Sequence, residues 1–296
     1  MSIITIRNLV VFARHGVFEE EARMGQKFTI TAELEVDTTR SARHDDLELS
    51  VDYGRVCREI TEFENDPANR VKLIETAATK LAEYLLLTEP LVKAARITLQ
   101  KPWAPIGLPL DYASVTVERK WVKAAVSLGS NLGESISLLN YAVIRLKACE
   151  AIRMGKTSSV YRTAPYGVTD QPEFYNSCVT FETFLEPEEL LEYLQEIEAE
   201  GGRERKEHWG PRTLDLDLLF YGDRVIRTER LVVPHPQIAK RMFVLEPLKE
   251  IDPYLPHPLT GKTVEEMWEE LREKQKASGS GETQEGTVLE KLGSDK

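Results

Sequence analysis

Cysteine, long apolar runs and surplus positive charge are all scarce in this chain, and each scarcity removes a class of protein. The three cysteines, Cys57, Cys149 and Cys178, stand far apart and in no metal-ligand spacing. They offer no disulfide framework and no zinc site, and they point to a reducing compartment. No stretch approaches the ~18 consecutive apolar residues of a membrane span. Residues 1–11 carry Arg7 and lack an unbroken apolar core, so they read as a strand and not as a secretory leader. A soluble, cytoplasmic protein is the expectation. The net charge of −11 argues against a general nucleic-acid binder, which needs a basic face. Any phosphate site must therefore gather its cations locally. There is no G-x-x-x-x-G-K-S/T loop, which excludes P-loop chemistry. Internal repeats are missing too, and 296 residues suffice for two modest domains of different fold.

What is present alternates between the strand and helix periods. FTITAELEV, residues 28–36, alternates apolar and polar side chains as a half-buried strand does. Residues 51–63 and 73–87 have helical spacing. Strands over 95–99 and 113–117 follow, separated by the proline-rich loop KPWAPIGLP, 101–109. With the N-terminal strand, the first 120 residues read strand, strand, helix, helix, strand, strand. A second unit opens near Trp121 with the strand VKAAVSLGS and an amphipathic helix in LGESISLLNYAVIRLKA. Strands are predicted over 158–161, 177–184 and 214–221, and helices over 187–200 and 264–275. Glu186 and Glu188 suit the positive N-terminal end of the first of these helices. Beyond the second, ASGSGETQEG has the composition of a disordered segment. The reading is an α+β chain with domains at 1–120 and 121–275 and a disordered tail at 276–296.

The densest chemical signal is GRERKEHWGPRTLDLDLLF, residues 202–220. Residues two apart on a strand share a face, so Asp215 and Asp217 point together while Leu214, Leu216 and Leu218 point oppositely. Two such carboxylates repel, and burying them unpaired is costly. A hard cation such as Mg²⁺, held by one or two carboxylates and a substrate's phosphates, relieves both problems. A D-x-D pair taken alone is more often a wet strand face. Here the flanks add Arg203, Arg205, Lys206 and Arg212 against Glu204 and Glu207, and RLVVPHPQIAKRMF adds Arg230, His235, Lys240 and Arg241. Guanidinium forks match phosphate oxygens, and beside paired aspartates these clusters form a coherent polyphosphate site.

Residues 123–256 resemble the 6-hydroxymethyl-7,8-dihydropterin pyrophosphokinases through five ordered motifs. These are SLGSNLG (127–133), SSVYRTAPYG (158–167), DQPEFYN (170–176), GRERKEHWGPRTLDLDLL and RLVVPHPQIAKRMFVLEPL (230–248). The resemblance implies a ferredoxin-like α/β sandwich that transfers pyrophosphate from ATP to a hydroxymethyl-dihydropterin. The substrate hydroxyl attacks the β-phosphorus and AMP leaves. By the same resemblance Asp215 and Asp217 hold two Mg²⁺ ions that bridge the ATP phosphates. Arg203 and Arg212 act at the reacting phosphates, with Arg205, His235 and Arg241 steadying them. Arg230 contacts nucleotide, Glu198 lies toward the adenosine, and Trp209 closes over the site. Phe174 and Phe243 sandwich the pterin ring while Asn176 bonds its edge. No residue stands out as a general base.

In the first half, Glu21, Tyr53, Glu75 and Lys101 are ionisable residues of separate elements that spacing does not single out. A second resemblance selects them. Residues 3–119 are similar to dihydroneopterin aldolases through FARHGVFEEEARMGQKF (12–28), TTRSARHDDLELSVDYG, the helix LIETAATKLAEYLL and KPWAPIG. It implies the tunnelling fold (T-fold), an antiparallel sheet with two helices. It also implies a ring of four subunits, usually stacked as an octamer, with the pterin between subunits and Tyr53 coming from a neighbour. The implied reaction is retro-aldol cleavage of 7,8-dihydroneopterin to the hydroxymethyl-dihydropterin and glycolaldehyde. The ring C=N is the electron sink, so no cofactor is called for. Lys101 and Tyr53 would move protons, Glu21 would sit by Lys101 and the triol, and Glu75 would grip the guanidine-like pterin edge with Leu73 beside it. The tryptophan-bearing loop KPWAPIGLPLDY departs from the family pattern and bears on pocket shape and stereopreference. The product of this reaction is the substrate of the other. A bifunctional enzyme of consecutive folate steps is therefore expected, with an epimerase or a silent ring-forming scaffold in the first half as the alternative.

Overall fold

A computed structural model describes residues 1–166, 170–202, 213–277 and 286–293. The chain divides into two compact units, Met1–Trp121 and Val122–Lys296. Among the described residues no helix is long and apolar enough to cross a membrane.

The first unit runs β1 (Ser2–Ala13), α1 (Glu19–Met24), β2 (Gln26–Val36), α2 (Thr39–His44), α3 (Tyr53–Asn65), α4 (Ile74–Thr88), β3 (Val92–Lys101) and β4 (Ala113–Lys120). Its strands form one antiparallel sheet in sequence order, β1-β2-β3-β4. The alternation in β2 sends Phe28, Ile30, Ala32, Leu34 and Val36 into the core. Helix α4 meets the sheet through Ala78, Leu81, Ala82 and Leu85, all fully buried, at the i, i+3, i+4 spacing of one helical face. The alanines let its backbone lie close to the strands. Helix α3 starts at Tyr53 because the Asp52 carboxylate accepts the Gly54 and Arg55 backbone N–H groups. The short helices α1 and α2 fall in stretches that the sequence reading leaves unassigned. Six residues carry too little periodicity to register, and α1 is capped by its own Glu21, which accepts the Phe18 N–H at 3.1 Å.

The second unit runs β5 (Val122–Ser130), α5 (Ser135–Ala148), β6 (Ile152–Thr157), β7 (Val160–Thr163), β8 (Phe174–Thr183), α6 (Pro187–Glu200), β9 (Asp215–Tyr221), β10 (Ile226–Arg227), β11 (Val232–Val233), α7 (Met242–Ile251), α8 (Val264–Ala277) and β12 (Val288–Leu292). Strands β9, β5, β8 and β6 lie side by side in that order, all antiparallel. With α5 and α6 as crossovers this is the split βαβ arrangement of a ferredoxin-like sandwich. One sheet face packs Val126, Leu128, Val179, Phe181, Leu216 and Leu218 against α5 and α6. The other packs Ala125, Cys178, Leu219 and Phe220 against α7 and α8.

Parts of this unit depart from the sequence reading. Strand β6 and helix α7 occupy stretches left unassigned, α7 because Pro247 stands inside it and a proline is ordinarily a stop signal. The composition that predicts a disordered tail from 276 onward does not extend to residues 288–292. There VLEKL forms β12, antiparallel to β7, because the free edge of β7 supplies partners that no local pattern reveals. Replacing Phe181, 1% exposed between sheet and helices, by alanine should destabilise the second unit by about 3–5 kcal/mol. Denaturant unfolding of the variant against the parent chain measures it.

Candidate functional site

Strand β5 lies between β8 and β9, and the register sets Gly129 opposite both Asn176 and Asp215, and Ser127 opposite Asp217. Cross-strand partners share a face, so these residues form one polar patch. It lies on the face that α7 and α8 cover further along, where Ala125, Cys178 and Leu219 are apolar and buried. The uncovered end is a cleft walled in addition by Thr163, Ala164, Tyr166, Phe174, Arg241 and Phe243. Both aspartates are half-buried, whereas Leu214, Leu216 and Leu218 are buried behind them. The alternation read from the sequence is therefore the geometry of the cleft floor.

The walls combine rings and directed polar groups. Asn176 is buried and its Nδ2 donates to Thr163 Oγ1 at 2.8 Å. A Cβ at Gly129 would come within 3.1 Å of Asn176 Oδ1, so the glycine leaves the amide room. The Tyr166 and Phe243 rings meet at 5.7 Å between centroids. Arg241 sets its guanidinium 5.6 Å from the Phe243 ring centre and its Nη1 3.4 Å from Asp217 Oδ2. The donor set of two carboxylates side by side on a strand, with a cation already drawn to them, suits a hard ion such as Mg²⁺ together with anionic oxygens. Burial pushes the His235 pKa down to about 4, with Arg241 adding to the shift and Asp215 opposing it. The imidazole is thus neutral at pH 7. Its Nδ1 accepts the Gln237 N–H at 3.3 Å.

Other selected residues lie elsewhere. Glu198 is buried on α6, and its Oε1 accepts the Leu216 backbone N–H at 2.8 Å, beside β9 and among the residues of the opposite core. Arg230 is exposed and pairs with Glu192 at 3.0 Å. Arg203, Arg205, Trp209 and Arg212 fall outside the described residues. Thr163, Ala164 and Tyr166 join the cleft without having been singled out. The motif SSVYRTAPYG contains all three, but nothing in their residue types marks them.

In the first unit, Lys101 at the end of β3 meets Glu21 on α1, with Nζ 2.5 Å from Oε1. Glu21 also accepts from Gln26 Nε2 at 2.8 Å. Burial alone would raise the Glu21 pKa. The hydrogen bonds from Lys101, Phe18 N–H and Gln26, with the Lys101 charge, outweigh it and lower the pKa. Gly16 makes the approach possible, since a Cβ there would stand 2.2 Å from Glu21 Oε2. An apolar groove beside Glu21 is lined by Phe18, Met24, Trp103 and Pro105. Tyr53, Leu73 and Glu75 are exposed at the starts of α3 and α4 and do not line it.

A buried latch that sequence reading overlooks joins the two parts. His15 Nδ1 accepts the Val71 N–H at 3.2 Å, so its proton sits on Nε2, which donates to Glu64 Oε2 at 2.8 Å. With Gly16 N–H donating to Val71 O at 3.1 Å, this pins the turn before Glu21 to the segment that leads into Leu73 and Glu75.

Comparison with known proteins places the units in sequence families. Residues 125–253 match the family model of 7,8-dihydro-6-hydroxymethylpterin-pyrophosphokinase, and residues 4–118 match that of dihydroneopterin aldolase. A pyrophosphokinase of Synechocystis is 46% identical over 148 residues, 50% of this chain and 75% of that protein. One of Bacillus subtilis is 48% identical over 128 residues, 43% of this chain and 77% of that protein. A crystal structure of Escherichia coli dihydroneopterin aldolase in complex with neopterin is 27% identical, with a TM-score of 0.36, covering 40% of this chain and 99% of that one.

The Glu21 carboxylate pKa is lower in the folded chain than in the unfolded one. Its contribution to stability is therefore complete above the ordinary carboxylate range and is lost as pH falls through the folded value. Lys101→Met removes the principal hydrogen bond and the charge, so Glu21 should titrate higher by carbon-13 NMR and the acid limb of stability should flatten. An unchanged titration would refute the pairing.

Proposed function

Because the chain belongs to the 6-hydroxymethyl-7,8-dihydropterin pyrophosphokinase family and carries a dihydroneopterin aldolase domain ahead of that unit, we propose a specific division of labour among its residues. The chain is a bifunctional enzyme of folate biosynthesis, a lyase joined to a diphosphokinase. The observation that carries the residue assignment is the cleft in which Asp215, Asp217, Arg241, Asn176, Phe174 and Phe243 converge. In this reading a flat aromatic heterocycle lies between Phe174 and Phe243, with Asn176 bonding its edge. Asp215 and Asp217 would hold Mg²⁺ together with ATP phosphates, and the bound metal would supply charge neutralisation for the transfer. Arg241 supplies a fixed cation beside Asp217. Neutral His235 can hydrogen-bond a phosphate oxygen without adding charge. Arg203, Arg205, Arg212 and Trp209 complete the nucleotide side in this reading, with Arg230 at its margin. Glu198 is assigned to the adenosine side and holds β9 from behind.

In the aldolase unit, Lys101 and Glu21 are the proton-handling pair. Loss of the side-chain hydroxyl proton releases glycolaldehyde while the C–C electron pair moves into the ring C=N. The ring nitrogen takes up a proton to give an enamine, and protonation of the exocyclic carbon with loss of that nitrogen proton restores the C=N. Lys101 is the proton carrier near that nitrogen, and Glu21 orients it. Tyr53, Leu73 and Glu75 are exposed in one chain, which supports a pterin site completed by a neighbouring copy. The outer edges of β1 and β4 support the same idea. Within the unit no described strand pairs with them, and Ile3, Val10 and Phe12 on β1 are exposed. Edge pairing between copies would close a ring of four, which can stack as an octamer. Three free cysteines support a cytoplasmic setting.

The test is a product assay on the intact chain given 7,8-dihydroneopterin with and without MgATP. Glycolaldehyde should form in both, and AMP with pyrophosphorylated pterin only with MgATP. Pyrophosphorylation of supplied hydroxymethyl-dihydropterin without any glycolaldehyde from dihydroneopterin would turn the first unit into an epimerase or a scaffold. Asp215→Ala and Asp217→Ala should each lower AMP release by about a hundredfold or more while glycolaldehyde formation stays normal. Lys101→Ala should do the reverse, cutting glycolaldehyde release by about 10²–10⁴.

A further inference from the structure

Strand β12 lies beyond the residues matched by the pyrophosphokinase family model, which end at 253. Its pairing does not stop at the end of β7. Val288 is opposite Thr163, a residue of the cleft wall. The Ala164 N–H donates to Thr287 O at 2.9 Å, and the Gly286 N–H donates to Pro165 O at 3.1 Å. The chain end therefore follows the cleft wall from Thr163 up to Tyr166.

Gly286 is buried, with φ +70°, and a Cβ there would stand 2.9 Å from Phe243 Cδ1 and 3.1 Å from Tyr166 Cδ2. Bare backbone is thus packed against the two rings that meet in the cleft wall. The anchors behind it tie β12 to β7, which leads into Tyr166, and to α7, which bears Phe243. Glu290 pairs with Arg162 on β7 at 3.0 Å, and Lys291 pairs with Glu250 on α7, the helix of Phe243, at 3.2 Å. Glu250 in turn accepts the Tyr161 hydroxyl at 2.7 Å and the Ser159 hydroxyl at 2.9 Å. A four-residue strand with an open outer edge is a weak wall for a rigid ligand, and β12 is what covers that edge.

We propose that residues 286–292 are a positioning element of the pterin pocket, with Gly286 setting the place of Phe243, and of the Tyr166 ring packed against it, relative to the pterin. The proposal rests on the reading of this cleft as the pterin site. The backbone of the tail is packed against the aromatic rings of the pterin side, so it should govern pterin affinity and leave nucleotide affinity alone.

Two variants of the full chain test it. Gly286→Val adds a side chain where φ is positive and a ring is in contact. Glu290→Lys with Lys291→Glu reverses both anchors without touching the cleft. Both should raise the KM for hydroxymethyl-dihydropterin by about tenfold while kcat and the KM for ATP stay within about twofold. Both should also weaken fluorescence-detected binding of 6-hydroxymethylpterin to the same degree. An unchanged pterin KM in both variants overturns the proposal. So does a uniform loss of kcat and both affinities alongside a lower melting temperature, which marks general destabilisation. If the parent chain shows no transfer at all, the reading of function fails instead. The fluorescence comparison then still judges the tail.

Discussion

Antiparallel pairing of β9 with β5 is the constraint on which the second unit's chemistry rests. Pairing in this register forces Asp215 and Asp217 onto one face, opposite Gly129 and Ser127, while Leu214, Leu216 and Leu218 fill the core behind. A slip of one residue would bury both carboxylates and expose the leucines. The hydrophobic core and the polar cleft are thus two consequences of one register. Small residues opposite the aspartates keep the floor open, and the start of α7 brings Arg241 and Phe243 to its rim.

The first unit solves a different problem. Its ionisable pair comes from elements far apart in sequence, and removing either partner would leave a charge stranded in a poorly solvated place. Gln26 shares Glu21 Oε1 with Lys101, and the Phe18 N–H satisfies Oε2, the oxygen that Lys101 does not reach. The turn that carries Glu21 is in turn held by the His15–Glu64 latch. One half of the site is therefore rigid within a single chain. The other half, at Tyr53, Leu73 and Glu75, remains on the surface.

Much of this was legible in the residues. The alternation of β2 and β9 and the amphipathic spacing of α4 and α6 translate directly into strands and helices, because one face of each must meet a core. Helix α7 was hidden by Pro247 and strand β12 by its glycine- and serine-rich approach. The first is held by burial of Val244, Leu245 and Leu248 and the second by a distant edge. Glu198 shows a further limit. A glutamate on a helix face gives no sign that a backbone N–H of β9 will be its partner.

By itself, then, the sequence determined the two α+β units, the shared face of Asp215 and Asp217, and the families in which such motifs occur. These follow from local periodicity and from the order of motifs along the chain. Only the tertiary structure decided that His15 and Glu64 latch the turn carrying Glu21, that Thr163, Ala164 and Tyr166 wall the cleft, and that the chain end returns to Phe243. Those contacts join residues tens to more than a hundred positions apart, and strand pairing and packing, not spacing, bring them together.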